Sequence, residues 1–575
     1  MKSSDKDGIT RREFVTRCAT ASLMLGLSPY LQGCASDSSD APTGPEILFV
    51  NGAIYIDPDQ KVDNLLVRDG IVAGINVNPA YHPHAQRVDL EGAAAYPGFN
   101  DSHVHLITMA VAGSILVRTP SQEDPLEIAK AVGAVCQDLA PGTPRMGHGF
   151  KLDDYDAWHL ADLAEIDRLT GDQCPVMIAD QLGHSYIVNS VALRMSGIDD
   201  DTPDPPGGVI VRENGKATGM LRETAGAIVG NAAIFPRVPD AGVKPYAIQL
   251  LNTWASMGYT SIVDLMGGPM GRTMKPELCQ ELDHEGLLPL RINYAYTFFK
   301  LSEMQDFDKV ESPWVHFAGL KLFVDGAAGQ GGAWTSWENT QGNHGLYAVC
   351  TNDEEYGEEY NLYRMLGKSE ELGLDMHYHV GGDLAIDAVL SAIEAVQQQN
   401  GKLRGKHTLY HLGLITDEQI ARMSALGDSV IAGVQPSLHW EFQKDETAYY
   451  YGEHARGSYP YRKLRDAGVT LAFSTDYASN IPKLCSPTVI MRIALTGAGD
   501  PEANPPLTMR DLIEGFTVGG YATTREARVG KLHPGYQADI VIYEKDLYRV
   551  APEELSMNNP KVVATWVGGR RILPI

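Results

Sequence analysis

The chain has 575 residues, with 73 acidic and 47 basic side chains and a formal net charge of -26 at pH 7. This charge argues against nucleic acid and anionic surfaces as partners, because both repel an acidic protein. Seven cysteines, widely spread and without a CxxC pair, exclude a disulfide framework and a thiolate zinc site.

The first 45 residues have the features of an export signal followed by a tether. Thr10-Arg11-Arg12-Glu13-Phe14 is a twin-arginine pattern, and the apolar run after it is too short to span a bilayer. Leu31-Gln32-Gly33-Cys34 fits a lipobox, whose cleavage would leave Cys34 as the lipidated first residue. We predict a signal over residues 1–33, a flexible tether over residues 34–45, and a periplasmic or cell-surface protein held to the membrane only by its lipid.

Strand-like segments at both chain ends flank a long region of alternating elements. Residues 46–96 and 525–575 contain short β-type runs separated by turn dipeptides, which predicts one small β-sandwich built from both ends. Over residues 97–524, apolar runs alternate with helical stretches, and this alternation predicts an α/β fold with a (β/α)8 TIM barrel. A Pro/Gly-rich run indicates an insertion over about residues 110–230, after the first barrel strand. Examples of the apolar runs are Pro175–Ala179, Ser261–Asp264, Gly319–Val324 and Val430–Val434.

Two histidines end the first predicted barrel strand, at His103 and His105. Side chains at i and i+2 of a strand point to the same face. Two imidazoles on one face, with a carboxylate nearby, can hold a divalent metal. The alternative is a pair of surface histidines on a loop.

Later strand ends carry side chains of matching chemistry. Lys321 lies within an apolar run just before Asp325, and His379, His411 and Asp476 each end or follow such a run. A buried lysine must be uncharged or paired, because burial of a lone ammonium is costly. A neutral lysine amine can take up carbon dioxide and become a carbamate that bridges two metals. The alternative is an ordinary ion pair between Lys321 and Asp325.

These residue types suit metal-assisted hydrolysis. The carboxyl ends of barrel strands meet at one mouth, where such barrels carry out chemistry. A divalent metal lowers the pKa of a bound water and polarises a carbonyl, and zinc, as one ion or two, is the expected metal. The carboxylate of Asp476 would orient the water, take its proton and pass that proton to the leaving nitrogen.

Several longer motifs together resemble those of one known family. They lie in residues 97–105, 183–193, 205–208, 219–223, 321–326, 379–383, 515–517 and 530–539. From about residue 46 to the C terminus, the chain resembles the amidohydrolase superfamily, specifically its YtcJ-like branch, which includes N-substituted formamide deformylase. The resemblance implies metal ligands at His103, His105, His379 and His411, a carbamylated bridge at Lys321, and a ligand that is also the base at Asp476.

The resemblance also implies that His184, within the inserted segment, faces the pocket as a catalytic residue. The alternative for His184 is a structural histidine with satisfied hydrogen bonds. Asp539 is expected to fix a turn in the β domain. The chain departs from the branch at Tyr410, where a Glu is usual, and at Gln330 and Thr475. We interpret these departures as changes of substrate at pocket-lining positions. His377 is an additional histidine, placed either behind the site or in the core.

The favoured function is a metal-dependent hydrolase that cleaves C–N bonds other than peptide bonds in a small amide-type substrate. One alternative is hydrolysis of a cyclic amide, carbamate or ester by the same site. The other is a non-catalytic, solute-binding lipoprotein, which would be expected to have lost metal ligands. A homo-oligomer is compatible with the sequence.

Overall fold

The computed structural model describes residues 45–119, 124–152, 158–181, 183–266, 276–305, 309–476 and 482–573. The predicted signal, the lipidation site Cys34 and the tether up to residue 44 lie outside these residues, so export and lipidation stay predictions. Within the described part of the chain, no helix is both long and apolar enough to cross a bilayer.

The described strands form three sheets. One of them is a parallel sheet of eight strands that curls into a barrel, in the order Thr470–Phe473, Val430–Val434, His407–His411, Met376–Val380, Val315–Phe323, Arg291–Thr297, Tyr259–Met266 and Phe99–Val104. The strands are β1 (Glu46–Asp57), β2 (Gln60–Arg68), β3 (Ile71–Ile75), β4 (Gln86–Asp89), β5 (Ala94–Pro97), β6 (Phe99–Val104), β7 (Arg145–Phe150), β8 (Val176–Asp180), β9 (Ser185–Val188), β10 (Gly208–Glu213), β11 (Lys216–Glu223), β12 (Tyr259–Met266), β13 (Arg291–Thr297), β14 (Val315–Phe323), β15 (Met376–Val380), β16 (His407–His411), β17 (Val430–Val434), β18 (Thr470–Phe473), β19 (Ile540–Tyr543), β20 (Val562–Val567) and β21 (Arg570–Leu573).

The first and last barrel strands, β6 and β18, are joined by side-chain and main-chain bonds beyond the strand ladders. Asp101 accepts hydrogen bonds from the Thr475 backbone N–H at 2.9 Å and its hydroxyl at 2.7 Å. The Ser102 hydroxyl donates to the Phe473 carbonyl at 3.0 Å, and the Asp476 N–H donates to the His103 carbonyl at 2.9 Å. The barrel is therefore an α/β TIM-like barrel whose seam runs through the residues next to His103 and Asp476.

Helices follow most barrel strands, and their ends carry ordinary capping chemistry. Asn361 accepts a hydrogen bond from the Arg364 N–H at one helix start, and Gly373 ends that helix in the left-handed conformation. Thr416 forms a capping box with Gln419 at the next-but-one helix. The α-helices are Leu106–Ile115, Pro125–Cys136, Leu160–Thr170, Ser190–Ser196, Thr224–Val229, Asp240–Ser256, Pro276–His284, Leu362–Leu372, Asp383–Asn400, Asp417–Ala425, Pro436–Leu438, Lys444–Tyr451, Tyr461–Asp466, Pro487–Thr496 and Met509–Glu514.

Between β6 and β12, a separate five-stranded sheet in the order β10-β11-β9-β8-β7 is inserted. The sequence interpretation treated Pro175–Ala179 as an example of a barrel-type run. The structure corrects that assignment, because β8 lies in this inserted sheet, pairing with β7 and β9. A buried apolar strand looks the same in sequence whichever sheet it joins, so periodicity cannot make the distinction.

Strands from both chain ends form one eight-stranded sheet, in which β19 pairs antiparallel with β5 and joins the two ends. Phe49, Ile54, Ile540 and Trp566 are buried in its core. A connected sheet from both ends is observed; the finer prediction that it folds into a sandwich stays a prediction.

A buried ion pair fastens the C-terminal strands to the barrel. The Arg291 guanidinium of β13 donates to the Asp539 carboxylate at 2.9 Å, and Asp539 also accepts the Gly568 N–H at 2.7 Å. Both charged side chains are at most 5% exposed. Asp539 therefore connects β13 with the turn between β20 and β21, which agrees with the expectation that it fixes a turn in the β domain.

Removal of Asp539 should destabilise the protein without changing its chemistry. In Asp539→Ala the Arg291 charge stays buried without its nearest partner, so we expect the free energy of unfolding to fall by about 3–5 kcal/mol in urea denaturation. The exposed control Asp428→Ala should stay within about 0.5 kcal/mol of the parent. Equal stability of the two variants would contradict a fastening role for the pair.

Candidate metal centre

Six predicted side chains meet at the carboxyl end of the barrel. They come from five strands: His103 lies in β6 and His105 follows it, Lys321 lies in β14, His379 in β15 and His411 at the end of β16, and Asp476 follows β18. All five cationic or imidazole side chains are buried, with residue exposures from 0 to 8%. Parallel strands bring these positions together, although they are separated by up to 373 residues in sequence.

The Asp476 carboxylate lies between three imidazoles. Its Oδ1 is 3.4 Å from His103 Nε2 and 3.2 Å from His105 Nε2, and its Oδ2 is 3.9 Å from His411 Nδ1. His103, His411 and Asp476 each offer one ligand atom, and these three atoms lie within 4.8 Å of one another. Such spacing suits a divalent ion held by nitrogen and oxygen donors.

His379 completes the group of rings. Its ring centroid is 4.4 Å from that of His411, and the His411 ring is 5.5 Å from the His103 ring. The rings of His103 and His105 are 5.0 Å apart. The four predicted imidazoles therefore form one continuous cluster.

Several donor atoms of this cluster have no partner among the described residues. Both ring nitrogens of His103, Nε2 of His411 and Nζ of Lys321 are buried without a hydrogen bond. Buried polar atoms in native proteins normally have partners, and a metal ion would supply them. Burial, the largest influence, holds the pKa of His103 and of His411 well below the ordinary value, which keeps their lone pairs available for a metal at neutral pH. The donor set therefore fits a divalent metal.

Lys321 points into this cluster because of a bulge in its strand. The pairing of β13 with β14 shifts register between Phe317 and Gly319, and Gly319 has a φ of +137° and no space for a Cβ beside the Asp375 carbonyl. A bulge of this kind re-aims the side chains that follow. The Lys321 Nζ lies 4.9 Å from the Phe323 ring centroid and 5.2 Å from that of Tyr410.

Burial of Lys321 lowers the pKa of its amine to about 7, so a large fraction is uncharged at neutral pH. The alternative interpretation, an ion pair with Asp325, is wrong. Within the described residues the Lys321 amine has no hydrogen-bond partner, whereas Asp325 contacts His379.

The backbone is held in an uncommon conformation at three positions of the site. Glu223 has a φ of 51°, His411 of 77° and Asp476 of 49°. Non-glycine residues seldom occupy this left-handed region, and they do so where the surrounding structure enforces it. The hydrogen bond from the Asp476 N–H to the His103 carbonyl is one such restraint.

His184 reaches the edge of this cluster from the inserted sheet. Its ring centroid lies 6.0 Å from that of His379, and its Nδ1 is 2.7 Å from Glu223 Oε2. Burial lowers the pKa of His184, but the charge and hydrogen bond of Glu223 outweigh burial and raise it to about 9. Glu223 itself accepts the Ala327 N–H at 3.0 Å, which fixes the pair against the loop after β14.

Two departures from the family pattern lie behind the ligands rather than in the pocket lining, which corrects that part of the sequence interpretation. The Tyr410 hydroxyl donates to the Ser102 carbonyl at 2.7 Å, and its ring lies 4.5 Å from the His103 ring. Thr475 is bound to Asp101. His377 lies behind the site, 3.2 Å from the Tyr410 hydroxyl.

The third departure, Gln330, bonds to the inserted sheet. Its side chain donates to Asp180 and accepts a hydrogen bond from the Ser185 hydroxyl at 3.2 Å. Gln330 therefore connects the loop after β14 with the strands that carry His184.

Sequence reasoning missed the residues that support the ligands. His439 Nε2 is 3.4 Å from His411 Nδ1, its Nδ1 bonds to the Tyr461 hydroxyl, and its ring stacks 4.1 Å from the Tyr459 ring. No pattern in the sequence marks His439, which lies in a helical segment after β17. Asp325 was noted in the sequence as a neighbour of Lys321, but its contact with His379 was not predicted.

Comparison with known proteins agrees with this geometry. The model of the family described as "Amidohydrolase family" matches residues 86–573. The YtcJ protein of Bacillus subtilis (strain 168) is 26% identical over 89% of this chain and 96% of its own length. N-substituted formamide deformylase of Arthrobacter pascens is 27% identical over 88% of this chain and 94% of its own length.

Among solved structures, an uncharacterized metal-dependent hydrolase from Pyrococcus horikoshii OT3 superposes with a TM-score of 0.67 at 20% identity, covering 89% of this chain and 99% of its own. That likeness shows the same fold. The family match over residues 86–573 includes the inserted sheet and the whole barrel.

Proposed function

The chain belongs to the amidohydrolase family, and from that premise we propose that it hydrolyses a C–N bond, other than a peptide bond, in a small amide-type substrate. The observation that carries this proposal is the Asp476 carboxylate within 3.4 Å of two imidazole nitrogens, in a pocket where His411 Nε2 and Lys321 Nζ have no hydrogen-bond partner among the described residues. A carboxylate beside metal ligands is suited to move a proton during hydrolysis.

Zinc is the metal that these donors favour. Imidazole nitrogens and a carboxylate oxygen are its usual ligands in catalytic sites. His103, His105, His379, His411 and Asp476 would hold one or two ions. When bound, the metal supplies an activated water and polarises the substrate carbonyl.

Asp476 would act on the attacking water and on the leaving nitrogen. Burial by itself raises the pKa of its carboxyl, but electrostatic interaction with the rings of His103 and His411 and a hydrogen bond with His105 hold that pKa well below the ordinary value. The ionised carboxylate can accept the proton of the water. An amine leaves poorly unless it is protonated, so delivery of that proton to nitrogen completes the cleavage.

Replacement of the carboxylate tests the proposal directly. Asp476→Asn keeps the size of the side chain but removes its ability to accept the proton, so we expect turnover to fall by about 100-fold or more. Turnover is measured on the substrates found in a screen of N-acyl and N-formyl compounds, with metal content determined on the same samples. Turnover at the parent rate by a folded Asp476→Asn would refute the role of base.

We expect Lys321 to be carbamylated. Its uncharged amine can add to carbon dioxide, forming an N–C bond and releasing one proton, and the resulting anion could serve as a ligand for one or two metals. The amine lies beside the aromatic rings of Phe323 and Tyr410 and has no hydrogen-bond partner among the described residues.

Lys321→Ala should therefore lose about one metal equivalent and most activity. A short carboxylic acid added to this variant should restore part of both, because its carboxylate can take the place of the carbamate. The exposed control Lys402→Ala should keep full metal content and gain nothing from the acid. An unchanged metal content in Lys321→Ala, measured by elemental analysis, would contradict a bridging lysine.

His184 is the candidate for binding the substrate oxygen. The His184 Nδ1–H donates a hydrogen bond to the Glu223 carboxylate, and the charged ring has a second N–H, at Nε2, that could stabilise a developing negative charge beside His379. This contact would strengthen as the carbonyl carbon is attacked.

His184→Ala should accordingly lower kcat by about 100- to 1,000-fold with metal content unchanged. The exposed control His84→Ala should retain the parent kcat. A loss of thermal stability without a change in kcat would favour the structural alternative for His184, and a loss of bound metal would make it a ligand instead.

The bond type is proposed partly from a relative named N-substituted formamide deformylase. Hydrolysis of a cyclic amide, carbamate or ester by the same residues is the second candidate, and the substrate screen includes those classes. A solute-binding lipoprotein would be expected to have lost metal ligands and need hold no zinc after dialysis, so turnover by a sample that retains zinc would exclude it. Because of the N-terminal twin-arginine and lipobox motifs, we expect the enzyme to be exported and lipid-anchored.

A further inference from the structure

Asp325 links the strand that carries Lys321 with the predicted ligand His379 on the neighbouring strand. It lies two residues after β14, which carries Lys321, and its side chain is fully buried at 0% exposure. Its Oδ1 lies 3.2 Å from Nδ1 of His379, at the end of the neighbouring strand. The catalytic scheme above gives this carboxylate no role.

Asp325 is surrounded by N–H groups. Its Oδ2 accepts the Gly382 N–H at 2.8 Å and the Trp334 N–H at 3.0 Å, and its Oδ1 accepts the Gly381 N–H at 2.9 Å. A carboxylate can only accept hydrogen bonds, so the contact with His379 requires a proton on Nδ1. A neutral imidazole carries one proton, and Nε2 is then bare and able to bind a metal.

We propose that Asp325 is a positioning residue that sets the tautomer and ring orientation of His379 for metal binding. The inference rests on the proposed metal centre and adds a residue to it. It does not depend on which ion binds, because every divalent ion needs the bare nitrogen.

The same carboxylate also fastens a loop at the mouth of the barrel. A Cβ at Gly382 would lie 1.9 Å from the Trp334 carbonyl, and that carbonyl accepts the Leu384 N–H at 3.2 Å. The Trp334 ring stacks at 4.6 Å on Tyr347. Asp325 therefore accepts hydrogen bonds from both the loop after β14 and His379. A displacement of the loop would move this carboxylate and, through it, the His379 ring.

The isosteric substitution Asp325→Asn has a predictable orientation. Three backbone N–H groups, those of Gly382, Trp334 and Gly381, lie 2.8, 3.0 and 3.1 Å from the Oδ2 position, and together they favour the amide oxygen there. The amide NH2 group must then face His379 and donate to Nδ1. The ring proton moves to Nε2, which is the nitrogen that has to be bare.

The test measures zinc affinity on the full chain. Protein stripped with a chelator is titrated with Zn²⁺ in competition with a chromophoric chelator, for the parent, Asp325→Asn and Asp383→Asn. Asp383 is the matched control, because it is a buried carboxylate two residues after Gly381 that bonds to the Ser336 N–H and hydroxyl instead of a ligand. We expect the Kd of Asp325→Asn to rise about 10- to 100-fold and that of Asp383→Asn to stay at the parent value.

A second measurement uses the parent protein instead of the Asp325→Asn variant. In stripped parent protein labelled with ¹⁵N-histidine, the His379 signals, identified by their loss in His379→Gln, should show the proton on Nδ1. A proton on Nε2 would overturn the inference, as would a folded Asp325→Asn with the parent Kd. A parent protein that binds no zinc would instead refute the metal centre itself, and this inference with it.

Discussion

The carboxylate of Asp476 is the group on which the arrangement of this site depends. It lies at the seam of the barrel, where β18 approaches β6, and its backbone N–H donates to the His103 carbonyl. One residue earlier, Thr475 is held by Asp101 of β6. The hydrogen bonds that close the barrel are therefore the ones that bring this carboxylate to the two histidines of the first strand. Loss of these hydrogen bonds would therefore separate Asp476 from His103 and His105.

The site contains buried polar atoms, several of which have no hydrogen-bond partner among the described residues. His103, His411 and Lys321 present buried atoms without partners, which costs free energy in a folded protein unless a ligand binds there. The left-handed backbone at His411 and Asp476 adds strain at the same place. The surrounding barrel maintains both because its core is large and seven strand ladders connect its eight strands. A bound divalent ion would satisfy the unpartnered atoms, and so would be expected to stabilise the fold as well as to support chemistry.

Two groups of residues contact the predicted metal ligands and hold them in place. Asp325 contacts Nδ1 of His379, and His439 contacts Nδ1 of His411. His184 and Glu223 approach from the inserted sheet, and Gln330 connects that sheet with the loop after β14. In the proposed function, the barrel would carry the reaction, while the insertion and the loop after β14 would shape access to the site.

The sequence alone determined the barrel class, the pairing of both chain ends in one β unit, and the identities of the residues that gather at the mouth. Those features follow from local patterns: alternation of apolar runs with helices, histidines two apart on a strand, and polar residues at strand ends. Only the tertiary structure decided that Pro175–Ala179 belongs to the insertion, that Lys321 faces aromatic rings instead of Asp325, and that Tyr410 lies beneath His103. These are contacts between residues far apart in the chain, set by strand order and by a bulge at Gly319, and neither of these leaves a periodic signal in the sequence.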